Sequence, residues 1–380
     1  MPTSYALYVD QREDTALSGL LSRISVDEGI EAPSTFTLEF LVDLCHGEFP
    51  VVDDTRVQPD RPDRTVSVVV TVRTGHGEQT SCLIRGVVTR IETQYTRGGA
   101  GSRVLIEGED RSVLLDRDHT GSAEFRRASD SARALAEDVF DDLEIEDSAV
   151  EYPESNPLRP GGNIRDYLNT VAGRSGMRLW VRPDFQPGPS PIRDTFHFGY
   201  MPPRGGSAFP PAPTPLVADV ETDFHAVSSE PCRGGTFKVS TTGNHPTEAG
   251  TVSGIDDRRG ERLDAEVSDS EEVTMGARPA TSSGVRATLP IHTGVSIAER
   301  EAALRAALDD ASWFVTAEAE TTVDRFGELL RPGQILNVVD VGRLDRGPYF
   351  IKRVRHDIDA ASHRMHLELM RNARGSSEES

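Results

Sequence analysis

Residues 326–373 read FGELLRPGQILNVVDVGRLDRGPYFIKRVRHDIDAASHRMHLELMRNA, and turn chemistry cuts this stretch into three strand-like runs. Gln334–Asp340 follows Arg331-Pro332-Gly333. Tyr349–Asp357 follows Arg346-Gly347-Pro348. His363–Met370 alternates polar and apolar positions over most of its length. Proline presets the backbone for a turn and glycine supplies the positive φ that other residues resist. The segment is therefore expected to be an antiparallel meander with no acid, base or metal cluster in it.

The same period-two texture opens the chain. Tyr5–Val9, Leu20–Val26, Ser34–Leu41, Thr65–Val72, Leu83–Tyr95 and Arg103–Gly108 read as short strands, a spacing typical of barrels and sandwiches. Between these two β regions the periodicity changes. Ser129 is expected to cap a helix carrying Ala132, Leu135, Ala136, Val139, Phe140 and Leu143 on one face. Asn163 is expected to cap a second helix, with Ile164, Tyr167, Leu168 and Val171 on one side and Gly176 ending it. Met177–Arg182 and Thr195–Tyr200 read as paired strands. Ser296-Ile297-Ala298-Glu299 has a capping-box pattern that opens a further helix running towards Trp313. The predicted class is a β-rich α+β protein. Its expected parts are a first β domain over 1–120, an α+β domain over 121–200 and a Pro-rich linker over 201–215. A second β domain follows over 216–373, then a disordered tail over 374–380, with a long polar surface loop over 258–286.

Composition excludes several classes. The net charge is −21, with 36% hydrophobic and 27% charged residues, so stable binding to a nucleic-acid backbone is disfavoured. No apolar run approaches the ~20 residues of a membrane-spanning helix, and the N-terminus has neither the basic start nor the apolar core of a secretory signal. Membrane insertion is not expected. Lysine occurs only at Lys238 and Lys352. An acid-rich, lysine-poor chain is expected from a halophilic or GC-rich source, because dense carboxylates keep a protein soluble where salt screens strongly. Cys45, Cys82 and Cys232 are too few and too scattered for a disulfide framework or a zinc site, so buried free thiols are expected.

The candidate chemistry is weak throughout. Gly99-Ala100-Gly101 lies between two strands, where a hairpin turn explains it better than a dinucleotide loop. Asp116-Arg117-Asp118-His119 reads as a solvated loop. His363 and His366 differ by an odd step on a strand and so face opposite ways, which leaves His356, His363 and His366 without a metal geometry. The acidic runs Glu144–Glu154 and Asp264–Glu272 lack the spaced pattern of a calcium loop. No nucleophile elbow, phosphate-binding loop or His-Glu-x-x-His occurs. The expectation is no catalytic, cofactor-binding or metal residue, no cofactor and no enzyme.

Several blocks, in order, resemble the phage late control protein D family, which includes contractile-tail baseplate hubs and the hub part of VgrG spikes. Ser22–Leu41 resembles the family's opening strands and Leu83–Arg90 its Gly-x-Val-Thr strand. Val104–Leu115 is similar to a block in which Gly108, Asp110 and Leu115 match. Asn163–Trp180 resembles a helix–strand unit through Tyr167, Leu168, Gly176 and Trp180, and Thr195–Phe198 takes the place of its partner strand. The closing block matches at Leu330, Pro332, Gly333, Gly347, Tyr349, His356, Arg371 and Asn372.

The resemblance implies two related β-barrel hub domains with the α+β domain inserted. Three copies would form a ring of six barrels that joins a hexameric tail tube to a trimeric spike. No β-helical needle follows Asn372, which implies a spike supplied by a separate subunit. The implied partners are two further copies of the chain, that spike protein, a tail-tube or tube-initiator protein and baseplate wedge proteins. The chain would be made in the cytoplasm and assembled into a phage tail or injection particle. A monomeric adaptor or cargo-binding protein built on the same barrels, and a carbohydrate-active β enzyme using two surface carboxylates, are the alternative readings.

Overall fold

The structure, a computed structural model, describes residues 3–42, 51–74, 77–97, 101–200, 216–217, 236–242, 251–255, 262–266, 274–279, 297–339 and 341–375. The strands that build the framework are β1 (Thr3–Val9), β2 (Leu21–Gly29), β3 (Thr35–Val42), β4 (Val66–Thr74), β5 (Gly77–Gln94) and β6 (Ser102–Asp110). They continue with β7 (Asp142–Ile145), β8 (Arg178–Phe185), β9 (Ile192–Gly199), β10 (Thr236–Thr241), β11 (Val315–Thr322), β12 (Ile335–Val339), β13 (Gly347–Asp359) and β14 (His363–Arg371). The helices are α1 (Thr15–Leu20), α2 (Ala128–Ala136), α3 (Ile164–Arg174) and α4 (Ile297–Ser312).

The expected β-rich class is what the chain adopts. One large sheet runs in the order β10-β11-β14-β13-β2-β3-β6-β5-β4-β1, with β12 also paired to β13. Its neighbours along this path are antiparallel. Strand β13 zips onto β2, with Val354 opposite Glu28, His356 opposite Val26 and Ile358 opposite Ile24. Strands from the first and last parts of the chain thus share one hydrophobic core. Leu7, Ile24, Phe36, Leu38, Phe40, Val68 and Ile106 pack into the same cluster as Leu336, Tyr349, Val354, Ile358, Leu367 and Leu369. Alternation accounts for this. On β3, Phe36, Leu38, Phe40 and Val42 point inward while their neighbours face out.

The expected closing meander is β12, β13 and β14, in register as antiparallel neighbours. Gly333 takes φ +85 and its N–H donates to the Ile351 carbonyl at 2.9 Å, closing the Pro-Gly turn. Gly99 and Ala100 lie outside the described residues; β5 and β6 on either side pair antiparallel, and Gly101 takes φ +75.

The α+β unit has its own core, in which Leu115, Leu135, Phe140, Leu168, Val171, Phe196 and Phe198 meet. Asn163 caps α3 as expected, its side chain accepting from the Asp166 N–H at 3.1 Å. Gly176, at φ +71, turns the chain out of that helix. The preceding helix differs from its expected form. Its N-cap is Arg127, without a side-chain cap, and Ser129 lies inside the first turn. The helix stops at Ala136, so Val139 and Phe140 reach the core from a turn and Leu143 from β7, a strand the helical spacing concealed. Packing of Phe140 on Phe196, with centroids 5.0 Å apart, keeps these residues inside without helical continuity. Helix α4 is present, and Glu299 accepts from the Tyr152 hydroxyl at 2.9 Å. Ser296, the linker over 201–215, most of 258–286, residues 376–380, Cys45 and Cys232 lie outside the described residues. Cys82 is a buried free thiol, as expected.

Candidate functional site

Several of the residues that carry the resemblance act as structural fasteners. Gly108 on β6 sits directly opposite Phe36 on β3. A Cβ at Gly108 would stand 2.3 Å from the Phe36 ring and 2.4 Å from the Val87 carbonyl oxygen. A Cβ at Gly86 would stand 2.2 Å from the Glu109 carbonyl oxygen. Two bare glycines therefore make the bed for one buried ring. Asp110 is buried beside them. Its carboxylate accepts from the Ser34 N–H at 2.6 Å and the Ser112 N–H at 2.8 Å, fixing where β6 gives way to a 3-10 turn.

Arg371 plays the corresponding part at the far end. It is fully buried, and among the described residues no carboxylate forms an ion pair with it. Nε donates to the Met275 carbonyl at 3.0 Å, one terminal nitrogen to the Arg346 carbonyl at 2.9 Å and the other to the Gly375 carbonyl. The guanidinium also lies 5.3 Å from the centroid of the Tyr349 ring. A Cβ at Gly347 would stand 2.8 Å from this guanidinium, so Gly347, at φ +125, is required by both backbone and space. Asn372 adds a bond to the Met275 N–H at 2.9 Å. Arg371→Lys is expected to lose about 2 kcal/mol or more of stability, because one ammonium cannot satisfy three diverging carbonyls. Chemical denaturation measures this, and an unchanged midpoint would contradict the role.

The densest buried polar cluster lies where three parts of the chain meet. Arg331, from the turn before β12, donates to Glu28 Oε2 on β2 through Nε at 2.9 Å and a terminal nitrogen at 2.6 Å. It also reaches the Leu83 carbonyl on β5 at 3.2 Å and the Pro183 carbonyl on β8 at 3.4 Å. The other Glu28 oxygen stands 3.2 Å from His356 Nε2, and His356 Nδ1 stands 3.0 Å from His363 Nε2. Glu28, Arg331, His356 and His363 are all buried. Arg331 and His356 hold the Glu28 carboxyl below its usual range against the opposing effect of burial. Burial, then the neighbouring His356, pushes the His363 imidazole well below the ordinary histidine value.

A second cluster joins the α+β unit to β5. Arg85 and Arg111 converge on Asp194, at 3.2 and 2.9 Å, and Arg85 reaches Asp141 at 2.6 Å. Burial raises Asp194 to about 6 despite the two cations. Close by, the Gln11 side-chain amide clamps the backbone of Ile192, donating to its carbonyl at 2.7 Å and accepting from its N–H at 2.9 Å.

These clusters can hold parts of the chain together, and neither has the arrangement of a catalytic centre. Arg331, Glu28, His356 and His363, in that order, form a row in which each member touches the next, so no three metal-ligating groups converge on a point. Among the described residues no group of three or more His, Cys, Asp or Glu side chains could hold a metal ion. His363 and His366 do face opposite ways: His363 is buried, while His366 is 41% exposed beside Glu320 and Asp357. Asp116 is engaged by Arg165 and Asn163. Asp116, Arg117 and Asp118 are exposed.

Sequence reading singled out His356 and His363 but missed Glu28, and it read Arg331 only as a turn residue. The signal was parity. Glu28 occupies an inward position in step with Ile24 and Val26, and Asp194 one in step with Phe196 and Phe198. A charged residue on the inward parity of a strand announces a buried partner without naming it.

The outward face of the large sheet is charged. Lys238 pairs with Glu318 at 3.1 Å, Lys352 with Glu31 at 2.7 Å, and Arg353 with both Asp27 at 2.6 Å and Glu368 at 3.3 Å. Both lysines of the chain line one open cleft of about 410 Å³, with Trp313 beside them. Among the described residues no helix is long and apolar enough to cross a membrane.

This fold is shared with solved tail proteins. A tail protein from Neisseria meningitidis superposes with TM-score 0.61 at 13% identity, covering 97% of both chains. The 43 kDa tail protein of prophage MuSo2 from Shewanella oneidensis gives 0.60 at 14%, covering 97% of this chain and 98% of that one. A component of the Escherichia coli type VI secretion system, which is itself similar to bacteriophage T4 tail proteins, gives 0.51 at 9%, covering 98% and 77%. No known family matches the sequence, and no curated protein matches it.

Proposed function

We propose that this chain is a structural baseplate hub subunit of a contractile phage tail or a related injection machine. It would act as a homotrimer that joins a hexameric tail tube to a trimeric spike carried by another chain. The observation that carries the reading is end-to-end likeness to two tail proteins, with nearly all of each chain covered. The fasteners support it, because the matched positions Gly86, Gly108, Asp110, Gly347 and Arg371 all serve the framework. In such a hub the first and last β regions are two related barrels, and binding is spread over large interfaces. The partners are the tube or tube-initiator protein, the spike and the wedge proteins, and the product is a tail particle.

The mass in solution tests this. Light scattering on the purified chain, in low and high salt, is expected to give three times the 41.5 kDa chain mass. A stable monomer at micromolar concentration in both salts would sink the hub and favour a monomeric adaptor.

A further inference from the structure

The Glu28–Arg331–His356–His363 row sits at a mechanically distinctive place. Among the described strands, the pairing of β13 with β2 is the one that joins the first β region to the last. The row lies under that pairing. Glu28 is contributed by β2, His356 by β13 and His363 by β14, and Arg331 reaches in from the turn before β12.

The row is also unusual in its proton count. One hydrogen bridges His356 Nδ1 and His363 Nε2, while His356 Nε2 and Glu28 Oε1 stand 3.2 Å apart and are each buried with no hydrogen-bond partner among the described residues. His363 Nδ1, at the end of the row, is buried with no hydrogen-bond partner among the described residues. The charged groups around the row are Glu28, Arg331 and Arg182 on β8, whose guanidinium is held below its usual value chiefly by Arg331. Cys82 on β5 adds no charge, since burial pushes its thiol up. Two cations already face one carboxylate. A proton added to His363, which faces only the His356 ring in this row, brings a positive charge that no carboxylate in the row meets, and a buried unpaired charge is among the costliest features a fold can carry. His366 and Asp357, on the same strands, face outward and do not relieve it.

We propose that this row is an acid-sensitive latch, in which protonation of His363 releases β13 from β2 and parts the first β region from the last. The sign follows from linkage. A histidine held neutral in the fold contributes stability above the ordinary value of about 6.5, and that contribution falls away as pH drops below it. Glu28, held below its usual range, loses its own contribution at still lower pH, in the same direction. Asp194 has the opposite sign. Its raised carboxyl takes up a proton more readily in the fold, so acid favours rather than opposes that joint. The latch is therefore local, and the α+β joint is an internal control.

Hydrogen exchange on the full chain, read by mass spectrometry at about pH 7.5 and about pH 5, on either side of the ordinary histidine value of about 6.5, tests it. After correction for intrinsic rates, amides of β2 and β13 are expected to exchange about tenfold faster at the lower pH. Those of β4 and β9 are expected to stay unchanged. His363→Gln, which keeps an amide donor but takes no proton in this range, is expected to hold β2 and β13 protected at the lower pH. Equal protection at both pH values overturns the latch, and so does loosening of all four strands together. If the variant does not fold, a histidine NMR titration of the wild-type chain decides. A His363 ring that titrates with the same midpoint as strand opening supports the latch. Titration of His363 near the ordinary value with β2 and β13 still protected overturns it.

Discussion

Replacing Arg331 by Met is expected to cost roughly 3–5 kcal/mol of unfolding free energy, the range for removing one partner of a buried ion pair. The substitution is close in volume, so lost charge dominates over lost packing. It strips the Glu28 carboxylate, buried in the core, of its directly bonded cation and leaves His356 at 3.2 Å. It also leaves the Leu83 and Pro183 carbonyls without their shared donor. A double variant, Arg331→Met with Glu28→Gln, is expected to recover much of that loss, because a neutral amide no longer needs the cation. Urea denaturation of the two variants and the parent measures the coupling. If single and double variants are equally stable, the pair is not what holds this junction together.

Gly108→Ala carries the other large effect. One added carbon would stand 2.3 Å from the Phe36 ring and 2.4 Å from a backbone oxygen. The ring is fully enclosed, so it cannot swing into solvent to make room. The expected cost is about 3 kcal/mol, the upper end for overpacking a core. Adding Phe36→Leu is expected to recover part of it. The rest stays, because the Val87 carbonyl does not move with the ring. A Gly108→Ala chain with the parent's denaturation midpoint would show that the sheet gives way at this point and that glycine is not required there.

Both experiments probe residues whose reasons differ in how far they can be read from sequence. The three runs after Arg331-Pro332-Gly333, the Asn163 cap and the Gly176 exit rest on contacts within a few residues, and the chain adopts them where local rules place them. The stretch after Ala136 is the instructive failure. Val139, Phe140 and Leu143 keep the helical period, yet β7 pairs with β9 and draws Leu143 into a sheet. Strand pairing outweighed local spacing, as it does wherever a neighbouring edge is available.

By itself the sequence determined the alternation that makes this a sheet protein, the turns that divide it and the order of motif positions that resemble a tail hub. Glu28 and Asp194 stand on inward strand parities, a signal that became readable only once the burial of each strand was known. Only the tertiary structure decided what they face. Glu28 and Arg331 are 303 positions apart, and their contact exists because β13 takes one register on β2 out of many. A shift of β13 by one residue would turn His356 outward and leave Glu28 facing inward without it. Local propensities are blind to that choice, which is made by burying Ile24, Val26, Val354 and Ile358 in one core.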